Sequence, residues 1–244
     1  MSSFDGKVAV VTGGTRGIGF ATAAALADAG ATVVVTGRDA DVAAERAAEL
    51  GPRVSGVALD VTDSAAVKDV FKAVAKEHGR IDVLVASAGV LEGGLIGMLT
   101  DEHVGVTLAT NVAGTIACVQ AAARAMMRKR SGSIVLLGSI VGERGNAGQT
   151  VYAASKAALS ATAKSAAKEL GRHGIRVNAV APGVIRTDLI SSQSDEVLAK
   201  VQDDTALGRL GTPEEVAAVI RFLAGDEASF VTGQVLGIDG GLVL

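Results

Sequence analysis

Short runs rich in Val, Ile and Leu alternate along the chain with longer, Ala-rich stretches of helical character. Nearly continuous apolar runs are typical of strands in a parallel sheet that helices cover on both faces. We predict strands over residues 7–12, 32–36, 54–59, 81–86, 133–137, 176–181 and 235–238. We predict helices over residues 18–29, 40–50, 65–78, 100–129 and 151–171, and a further helix that starts at Thr212-Pro213-Glu214-Glu215. This alternation predicts an α/β fold with an open, doubly wound parallel sheet.

Composition narrows the class of protein. The 244 residues contain no repeat, low-complexity tract or Pro/Ser linker, so we expect a single domain over 1–244. A net charge of −3, with five Phe, one Tyr and no Trp, argues against nucleic acid as a partner. One cysteine, Cys118, excludes an intramolecular disulfide, and three scattered histidines offer no metal site.

Residues 104–123 carry no charge over a length that could span a membrane. Thr107, Asn111 and Gln120 lie within this stretch, and their polar groups are costly in lipid. We therefore expect a helix buried in protein, and no membrane partner. The amino-terminal residues lack the basic and apolar segments of a signal peptide, so a soluble, cytoplasmic protein is the expectation.

A glycine-rich loop, Thr12-Gly13-Gly14-Thr15-Arg16-Gly17-Ile18-Gly19, joins the first predicted strand to the first helix. Gly13 suits the turn, Gly17 allows close approach of a pyrophosphate, and Gly19 lets the helix pack on the strand. The helix amino terminus then offers free N–H groups to phosphate. The lysine of a phosphoryl-transfer P-loop is missing. The loop predicts dinucleotide binding, with an ordinary tight turn as the alternative.

The end of the second strand bears on which dinucleotide binds. An acid there bonds the ribose hydroxyl of NAD, whereas an arginine accepts the 2′-phosphate of NADP. Arg38 occupies this region, and Arg16 offers a second guanidinium. We predict NADP(H). Asp39 keeps NAD open, and two solvated surface arginines are the other alternative.

Tyr152 and Lys156 lie four residues apart, on one face of a predicted helix. A tyrosine that acts as a general acid near pH 7 needs its pKa lowered by about 2–3 units, or ~3–4 kcal/mol. An ammonium about 5 Å away supplies about 3 kcal/mol. Ser139 ends the fifth strand and can polarise a carbonyl, while Asn111 needs a buried partner. Taken singly, each residue also has a purely structural interpretation. Tyr152 and Lys156 can be a surface pair, Ser139 a hydroxyl at a strand end, and Asn111 a hydrogen-bonded amide in the core.

These residues together resemble the short-chain dehydrogenase/reductase family over essentially the whole chain. The matching segments are Thr12–Gly19, Asp60-Val61, Asn111, Ser139, Tyr152, Lys156 and Pro182-Gly183-Val184-Ile185-Arg186-Thr187. Ser87-Ala88-Gly89 stands where the family usually has Asn-Ala-Gly. Within the family, residues 138–142, 145–149 and 233–241 look most like those of 3-oxoacyl-[acyl-carrier-protein] reductases.

The resemblance implies a single-domain Rossmann-type fold of about seven strands, and an Asn–Ser–Tyr–Lys tetrad. Tyr152 would donate the proton, Ser139 would bond the carbonyl oxygen, Lys156 would lower the tyrosine pKa, and Asn111 would anchor a water of a proton relay. The implied cofactor contacts are Gly13, Thr15, Arg16, Gly17, Ile18, Gly19, Arg38, Asp60, Val61, Ala88, Gly89, Tyr152, Lys156, Pro182, Gly183, Ile185 and Thr187.

The resemblance also implies a homotetramer and an acyl carrier protein that docks at Arg130 and near Arg172, where the second matching position is His173. Residues 190–211 are a candidate substrate lid, with an ordinary connecting helix and loop as the alternative. The predicted function is NADPH-dependent reduction of a 3-oxoacyl thioester in fatty acid synthesis. Reduction of another carbonyl compound, such as a sugar, steroid or small ketone, is the alternative, and a non-catalytic NADP-sensing protein is a third.

Overall fold

A seven-stranded parallel sheet forms the centre of the molecule, in the order β3-β2-β1-β4-β5-β6-β7. The computed structural model describes residues 4–187 and 194–243. The strands are β1 (Val8–Thr12), β2 (Thr32–Gly37), β3 (Val54–Ala58), β4 (Val83–Ala86), β5 (Gly132–Leu137), β6 (Ile175–Pro182) and β7 (Val235–Ile238). The strand order reverses between β1 and β4, and ligands of such sheets bind in the crevice at the carboxyl ends of these strands.

Helices cover both faces of the sheet and bury its apolar side chains. They are α1 (Gly17–Asp28), α2 (Ala40–Glu49), α3 (Ser64–His78), α4 (Asp101–Leu108), α5 (Thr115–Lys129), α6 (Val141–Arg144), α7 (Thr150–Leu170), α8 (Asp195–Asp203) and α9 (Pro213–Ala224). One core contains Phe71, Met126 and Ala163 from α3, α5 and α7. The other contains Leu26 and Ile220 from α1 and α9. The predicted doubly wound α/β fold is confirmed.

The structure differs from the predicted elements in two places. Strand β4 begins at Val83, two residues later than predicted, and just before it the Asp82 carboxylate accepts a hydrogen bond from the Val8 backbone N–H at 2.8 Å and binds Arg80. The predicted helix over 100–129 is interrupted by a π-helical segment, Ala109–Gly114. The short helices α6 and α8 were not predicted, since four and nine residues carry little periodic signal.

The stretch Asp101–Lys129 has the length and apolar composition of a membrane span, with a mean hydropathy of 1.4. In the fold, α5 within this stretch packs against α3 and against the sheet, so its inner face belongs to the core. Of the candidate lid over 190–211, residues 190–193 lie outside the described part of the chain. The remainder contains α8 and leads to Gly211, which pairs with Ile185.

Candidate active site

A cleft of about 790 Å³ opens at the carboxyl ends of β1, β2 and β4. Most of the residues predicted to contact the cofactor line it: Gly13, Thr15, Arg16, Gly17, Ile18, Gly19, Arg38, Asp60, Val61, Ala88, Gly89, Tyr152, Lys156 and Thr187. Sequence reasoning missed other lining residues: Gly37, Val42, Leu59, Thr62, Val90, Gly105, Val106, Ala109, Thr110 and Leu137. Most of these carry apolar side chains, or none, and leave no chemical signal in a sequence.

The glycine loop forms the floor of this cleft because side chains are excluded there. Gly13 and Gly17 have φ of 64° and 53°, in the left-handed region. A Cβ on Gly13 would lie 2.7 Å from the Ala88 Cα, and one on Gly19 would lie 2.3 Å from the Gly13 carbonyl oxygen. Arg16 at the N-cap of α1 makes no side-chain capping bond, so the first-turn N–H groups have no side-chain acceptor there. The loop fits a dinucleotide pyrophosphate.

Arg46, on α2, holds this loop from outside the cleft. Its Nε donates to the Thr15 carbonyl oxygen at 3.1 Å, and its guanidinium stacks 4.0 Å from the centre of the Phe20 ring. Glu49 binds the same guanidinium at 2.7 Å. Sequence reasoning missed Arg46, because the contact joins residues 31 positions apart.

Where β2 ends at the cleft, the charged groups divide into two kinds. The Asp39 Oδ1 accepts hydrogen bonds from the backbone N–H groups of Asp41 and Val42, at 2.9 and 3.0 Å, and so caps α2. Arg16 and Arg38 are exposed at the cleft and form no ion pair within the described residues. Both guanidiniums are therefore available to a phosphate, whereas one oxygen of Asp39 is already engaged.

Asp60 lies beside this arginine pair at the end of β3. Hydrogen bonds from the Thr62 N–H and hydroxyl, at 2.9 and 2.7 Å, hold the pKa of the Asp60 carboxyl below its usual value, and the nearby Arg38 lowers it further. The carboxylate is thus ionised and fixed in orientation, as a contact for the adenosine amino group requires.

Tyr152 and Lys156 line the cleft, and Ser139 lies beside them through its hydrogen bond with the Tyr152 hydroxyl. The Lys156 Nζ lies 5.5 Å from the centre of the Tyr152 ring and donates to the Leu137 carbonyl oxygen at 2.7 Å. Lys156 is 4 % exposed. Ser139, at the end of β5, hydrogen-bonds the Tyr152 hydroxyl, and its own Oγ accepts from the Val141 N–H at 3.2 Å. The Ser139 hydroxyl and the Lys156 amine thus both lie beside the Tyr152 phenol.

Burial has the largest effect on the pKa values of both Tyr152 and Lys156. It raises the pKa of the Tyr152 phenol above its ordinary value, while the Ser139 hydrogen bond acts in the opposite direction. Burial also lowers the pKa of Lys156 from 10.5 to about 8. The sequence argument counted the ammonium's attraction and left out desolvation, so its ~3 kcal/mol lowering of the tyrosine pKa does not arise from the protein's own groups.

Asn111 is fully buried in the π-helical segment and makes three side-chain hydrogen bonds. Its Oδ1 accepts from the Val90 N–H at 2.8 Å, and its Nδ2 donates to the Val90 carbonyl at 2.9 Å and to the Ser155 Oγ at 3.0 Å. Ser155 donates in turn to the Tyr152 carbonyl at 2.7 Å. A Cβ on Gly89 would lie 3.2 Å from the Asn111 Oδ1 and 3.5 Å from the Lys156 Nζ. Asn111 therefore links the segment after β4 to α7, and its carboxamide and the Lys156 Nζ both lie beside Gly89.

The predicted nicotinamide loop after β6 reaches the cleft through one residue. Thr187 lines the cleft opposite Gly17, where an added Cβ would lie 3.4 Å from the Thr187 Cγ2. Gly183 and Ile185 line a separate cavity of about 200 Å³ behind the loop, and Pro182 ends β6. The Gly183 N–H donates to the Ile238 carbonyl at 3.0 Å. Of these three residues, Ile185 bonds Thr187: its carbonyl oxygen accepts from the Thr187 hydroxyl at 3.4 Å.

Comparisons with known proteins agree with this geometry. The family model described as Enoyl-(Acyl carrier protein) reductase matches residues 13–243. The chain is similar to 3-oxoacyl-[acyl-carrier-protein] reductase FabG of Escherichia coli strain K12, with 41 % identity over 99 % of both chains. It is also similar to FabG of Thermotoga maritima, with 43 % identity over 98 % of this chain and 99 % of the relative.

A solved structure titled "short chain dehydrogenase/reductase family protein" superposes with a TM-score of 0.90 at 38 % identity, over 98 % of both chains. Sequence and fold similarity therefore extend together over nearly the full length of the chain, and they include the glycine loop and the Tyr152–Lys156 helix. On this evidence, the chain belongs to the short-chain dehydrogenase/reductase family.

Proposed function

We propose that the protein reduces a 3-oxoacyl thioester to the 3-hydroxyacyl form in the cytoplasm, as a step of fatty acid synthesis, with NADPH as the reductant. The observation that carries this proposal is that Tyr152 and Lys156, with Ser139 bonded to the tyrosine, lie at a cleft whose glycine floor suits a dinucleotide. Similarity to FabG proteins over nearly the whole chain supports the substrate class.

The cofactor, when bound, supplies the hydride to the carbonyl carbon. The chain's own groups handle the proton. The Ser139 Oγ, already bonded to the Tyr152 hydroxyl, lies where it can donate to the carbonyl oxygen of the substrate. The Tyr152 hydroxyl gives its proton to that oxygen as it becomes an alkoxide. Lys156 steadies the resulting phenolate, and the Leu137 carbonyl fixes its position.

The preference for NADP(H) rests on charge at the mouth of the cleft. Arg16 and Arg38 offer two guanidiniums to a 2′-phosphate, and Asp39 is held in the N-cap of α2. A phosphate dianion gains charge-assisted hydrogen bonds from such a pair, whereas a ribose hydroxyl gains little.

Docking of an acyl carrier protein at Arg130 and Arg172 requires more than one subunit, because this pair lies far from the cleft of its own chain. The Arg130 guanidinium donates to the Arg172 carbonyl at 2.8 Å, so the two residues are adjacent. Strands β5 and β6 begin directly after them, which puts the pair at the amino ends of the strands, about 20 Å from the cleft. In the proposed homotetramer, the arginine pair of one subunit would serve the cleft of a neighbouring subunit.

Substrate assays test the proposal directly. NADPH oxidation should be fast with an acetoacetyl thioester and slow with a panel of sugars, steroids and small ketones. Tyr152→Phe should keep NADPH binding and lose turnover by about 10²–10⁴-fold. Near-normal activity of this variant would remove Tyr152 from the mechanism, and a preference for another carbonyl compound would overturn the substrate assignment.

A charge reversal tests the docking surface. Arg130→Glu with Arg172→Glu should raise KM for a carrier-bound substrate and leave KM for a small thioester unchanged. Equal effects on both substrates would refute docking at this pair.

A further inference from the structure

Arg46 contacts the glycine loop and helix α1, although it belongs to α2. Its Nε donates to the Thr15 carbonyl at 3.1 Å, and its guanidinium lies 4.0 Å from the centre of the Phe20 ring. An arginine in the last turn of a helix ordinarily offsets the partial negative charge of the helix end. That role explains neither the bond to Thr15 nor the stacking on Phe20, because both partners lie outside α2.

The direction of α2 brings this side chain to the loop. Helix α2 starts beside the cleft, and Val42 in its first turn lines the cleft. Arg46 lies one turn beyond Val42, about 6 Å farther along the axis, and is not among the residues that line the cleft. Helical side chains lean toward the amino terminus of their helix, so Arg46 reaches back toward the loop. It therefore holds the loop from outside and leaves the cleft free for a ligand.

Glu49 neutralises the Arg46 guanidinium. Both oxygens of its carboxylate accept hydrogen bonds from the Arg46 Nη1, at 2.8 and 2.7 Å. Because the pair carries no net charge and lies outside the cleft, Arg46 is not itself a ligand of a phosphate there. Any effect that Arg46 has on a bound cofactor must therefore act through the position of the loop.

Thr15 is held on two sides. Arg46 binds its carbonyl, and its side chain packs against Gly37, where an added Cβ would lie 2.7 Å from the Thr15 Cγ2. Gly37 ends β2 and is followed directly by Arg38. Thr15 is followed directly by Arg16. The contact between Thr15 and Gly37 therefore fixes the backbones of the two cleft arginines next to each other.

The bond from Arg46 also orients the peptide that joins Thr15 to Arg16. This peptide is trans, so its N–H points opposite to its carbonyl. The carbonyl points at Arg46, outside the cleft, and the Arg16 N–H therefore points away from Arg46. Within residues 4–187 and 194–243, that N–H donates to no protein atom. A phosphate held by the guanidiniums of Arg16 and Arg38 can therefore accept a hydrogen bond from this N–H as well.

We propose that Arg46 is a positioning residue for the 2′-phosphate of NADPH. It holds the Thr15–Arg16 peptide against Gly37, and so presents Arg16 beside Arg38 before the cofactor arrives. A loop that is already fixed in its binding conformation loses less freedom on binding, which increases affinity. The inference rests on the proposed preference for NADP(H). NADH has a hydroxyl in place of the 2′-phosphate, so it should gain little from this arrangement.

Binding of the reduced cofactors in the absence of substrate tests this role, with nicotinamide fluorescence as the readout. Arg46→Met should raise Kd for NADPH about tenfold, or ~1.4 kcal/mol, and leave Kd for NADH within twofold of the parent. Arg46→Lys should behave like Arg46→Met, because lysine keeps the charge but lacks the planar group that bonds Thr15 and stacks on Phe20. Phe20→Tyr keeps an aromatic ring beside the guanidinium and should behave like the parent.

Two fragments separate the 2′-phosphate from the rest of the cofactor. Adenosine 2′,5′-bisphosphate carries this phosphate, and adenosine 5′-monophosphate lacks it. As competitors of NADPH, the bisphosphate should bind Arg46→Met about tenfold more weakly than the parent, and the monophosphate should bind both proteins equally. The kcat at saturating NADPH should stay within twofold of the parent, because Arg46 contacts neither Tyr152 nor Lys156.

Arg53→Met is the matched control. Arg53 also donates to a backbone carbonyl, that of Gly30 at 3.0 Å, and also pairs with a carboxylate, that of Asp5 at 3.5 Å. It directly precedes β3, so it lies at the amino ends of the strands, opposite to the cleft. Its replacement should leave Kd for both cofactors unchanged. Urea unfolding of all variants shows whether any change in Kd accompanies a loss of stability.

An equal rise in Kd for NADPH and NADH in Arg46→Met would overturn the proposal, and so would an unchanged Kd for NADPH. If Arg46→Met does not fold, Arg46→Lys decides between the same outcomes. A parent protein that binds NADPH more tightly than NADH, with the expected loss in Arg46→Met, supports this role even if it reduces no carbonyl compound. A parent that binds the two cofactors equally refutes both the NADP(H) preference and the role of Arg46.

Discussion

Lys156→Met replaces a buried ammonium with an apolar side chain of similar length. We expect the variant to lose turnover and to gain stability near neutral pH. Lys156 is 4 % exposed, and burial lowers its pKa from 10.5 to about 8. The fold therefore destabilises the charged form of a residue that the proposed chemistry requires, a conflict between stability and activity that is common at catalytic sites.

The size of the effect follows from these two values. The gap between 10.5 and about 8 corresponds to ~3 kcal/mol of free energy that disfavours the ammonium in the folded state. Methionine removes this penalty but also removes the hydrogen bond to the Leu137 carbonyl, which costs about 1–2 kcal/mol. We expect a net gain of about 1–2 kcal/mol in the free energy of unfolding at pH 7.

The gain should depend on pH with a definite sign. Below pH about 8 the lysine is protonated in both the folded and the unfolded protein, so the full penalty is present. Between about 8 and 10.5 the folded protein loses this proton first, the unfolded chain binds more protons, and the parent gains stability as pH rises. The advantage of Lys156→Met should therefore shrink by about 2 kcal/mol between pH 7 and pH 9.5.

Urea unfolding at pH 7 and pH 9.5 measures this difference, with Lys164→Met as the control because Lys164 is exposed on the same helix. The control should change stability little, and equally at both pH values. A loss of stability in Lys156→Met that is the same at pH 7 and pH 9.5 would refute the reasoning, since it would show that burial does not penalise the ammonium.

Three further predictions concern the cleft and its supports. Arg38→Asp should raise KM for NADPH about 10–100-fold and change KM for NADH far less, which initial rates with both cofactors measure. Gly13→Ala should destabilise the fold by about 2–4 kcal/mol and abolish NADPH binding, because its Cβ would meet the Ala88 Cα at 2.7 Å. Gly51→Ala is the control, since Gly51 also has a positive φ but an added Cβ would meet nothing within 4 Å. The control should lose only about 1–2 kcal/mol of stability in thermal and urea unfolding. Arg144→Met should raise KM for the acyl thioester about fivefold and leave KM for NADPH unchanged, because Arg144 bonds the carboxyl-terminal tail to the segment after Ser139. A parallel rise in both KM values would contradict this prediction.

Local sequence signals located most of the fold. The apolar runs predicted each strand to within two residues, because strand burial on both faces leaves an unbroken apolar signature. The capping box at Thr212 and Glu215 is present as predicted, since it depends on residues three positions apart. The π-helical segment around Asn111 was not predictable, because no composition signal distinguishes it from an α-helix in a uniformly apolar stretch.

By itself, the sequence determined the order of strands and helices, the glycine loop and the spacing of Tyr152 and Lys156, since all of these follow from residues close together in the chain. Only the tertiary structure decided how these groups behave. The pKa directions of Tyr152 and Lys156 depend on the water that packing removes, and desolvation is summed over segments far apart in sequence. The same is true of the support that Arg46 gives the glycine loop, because that contact forms only when α2 folds back against it.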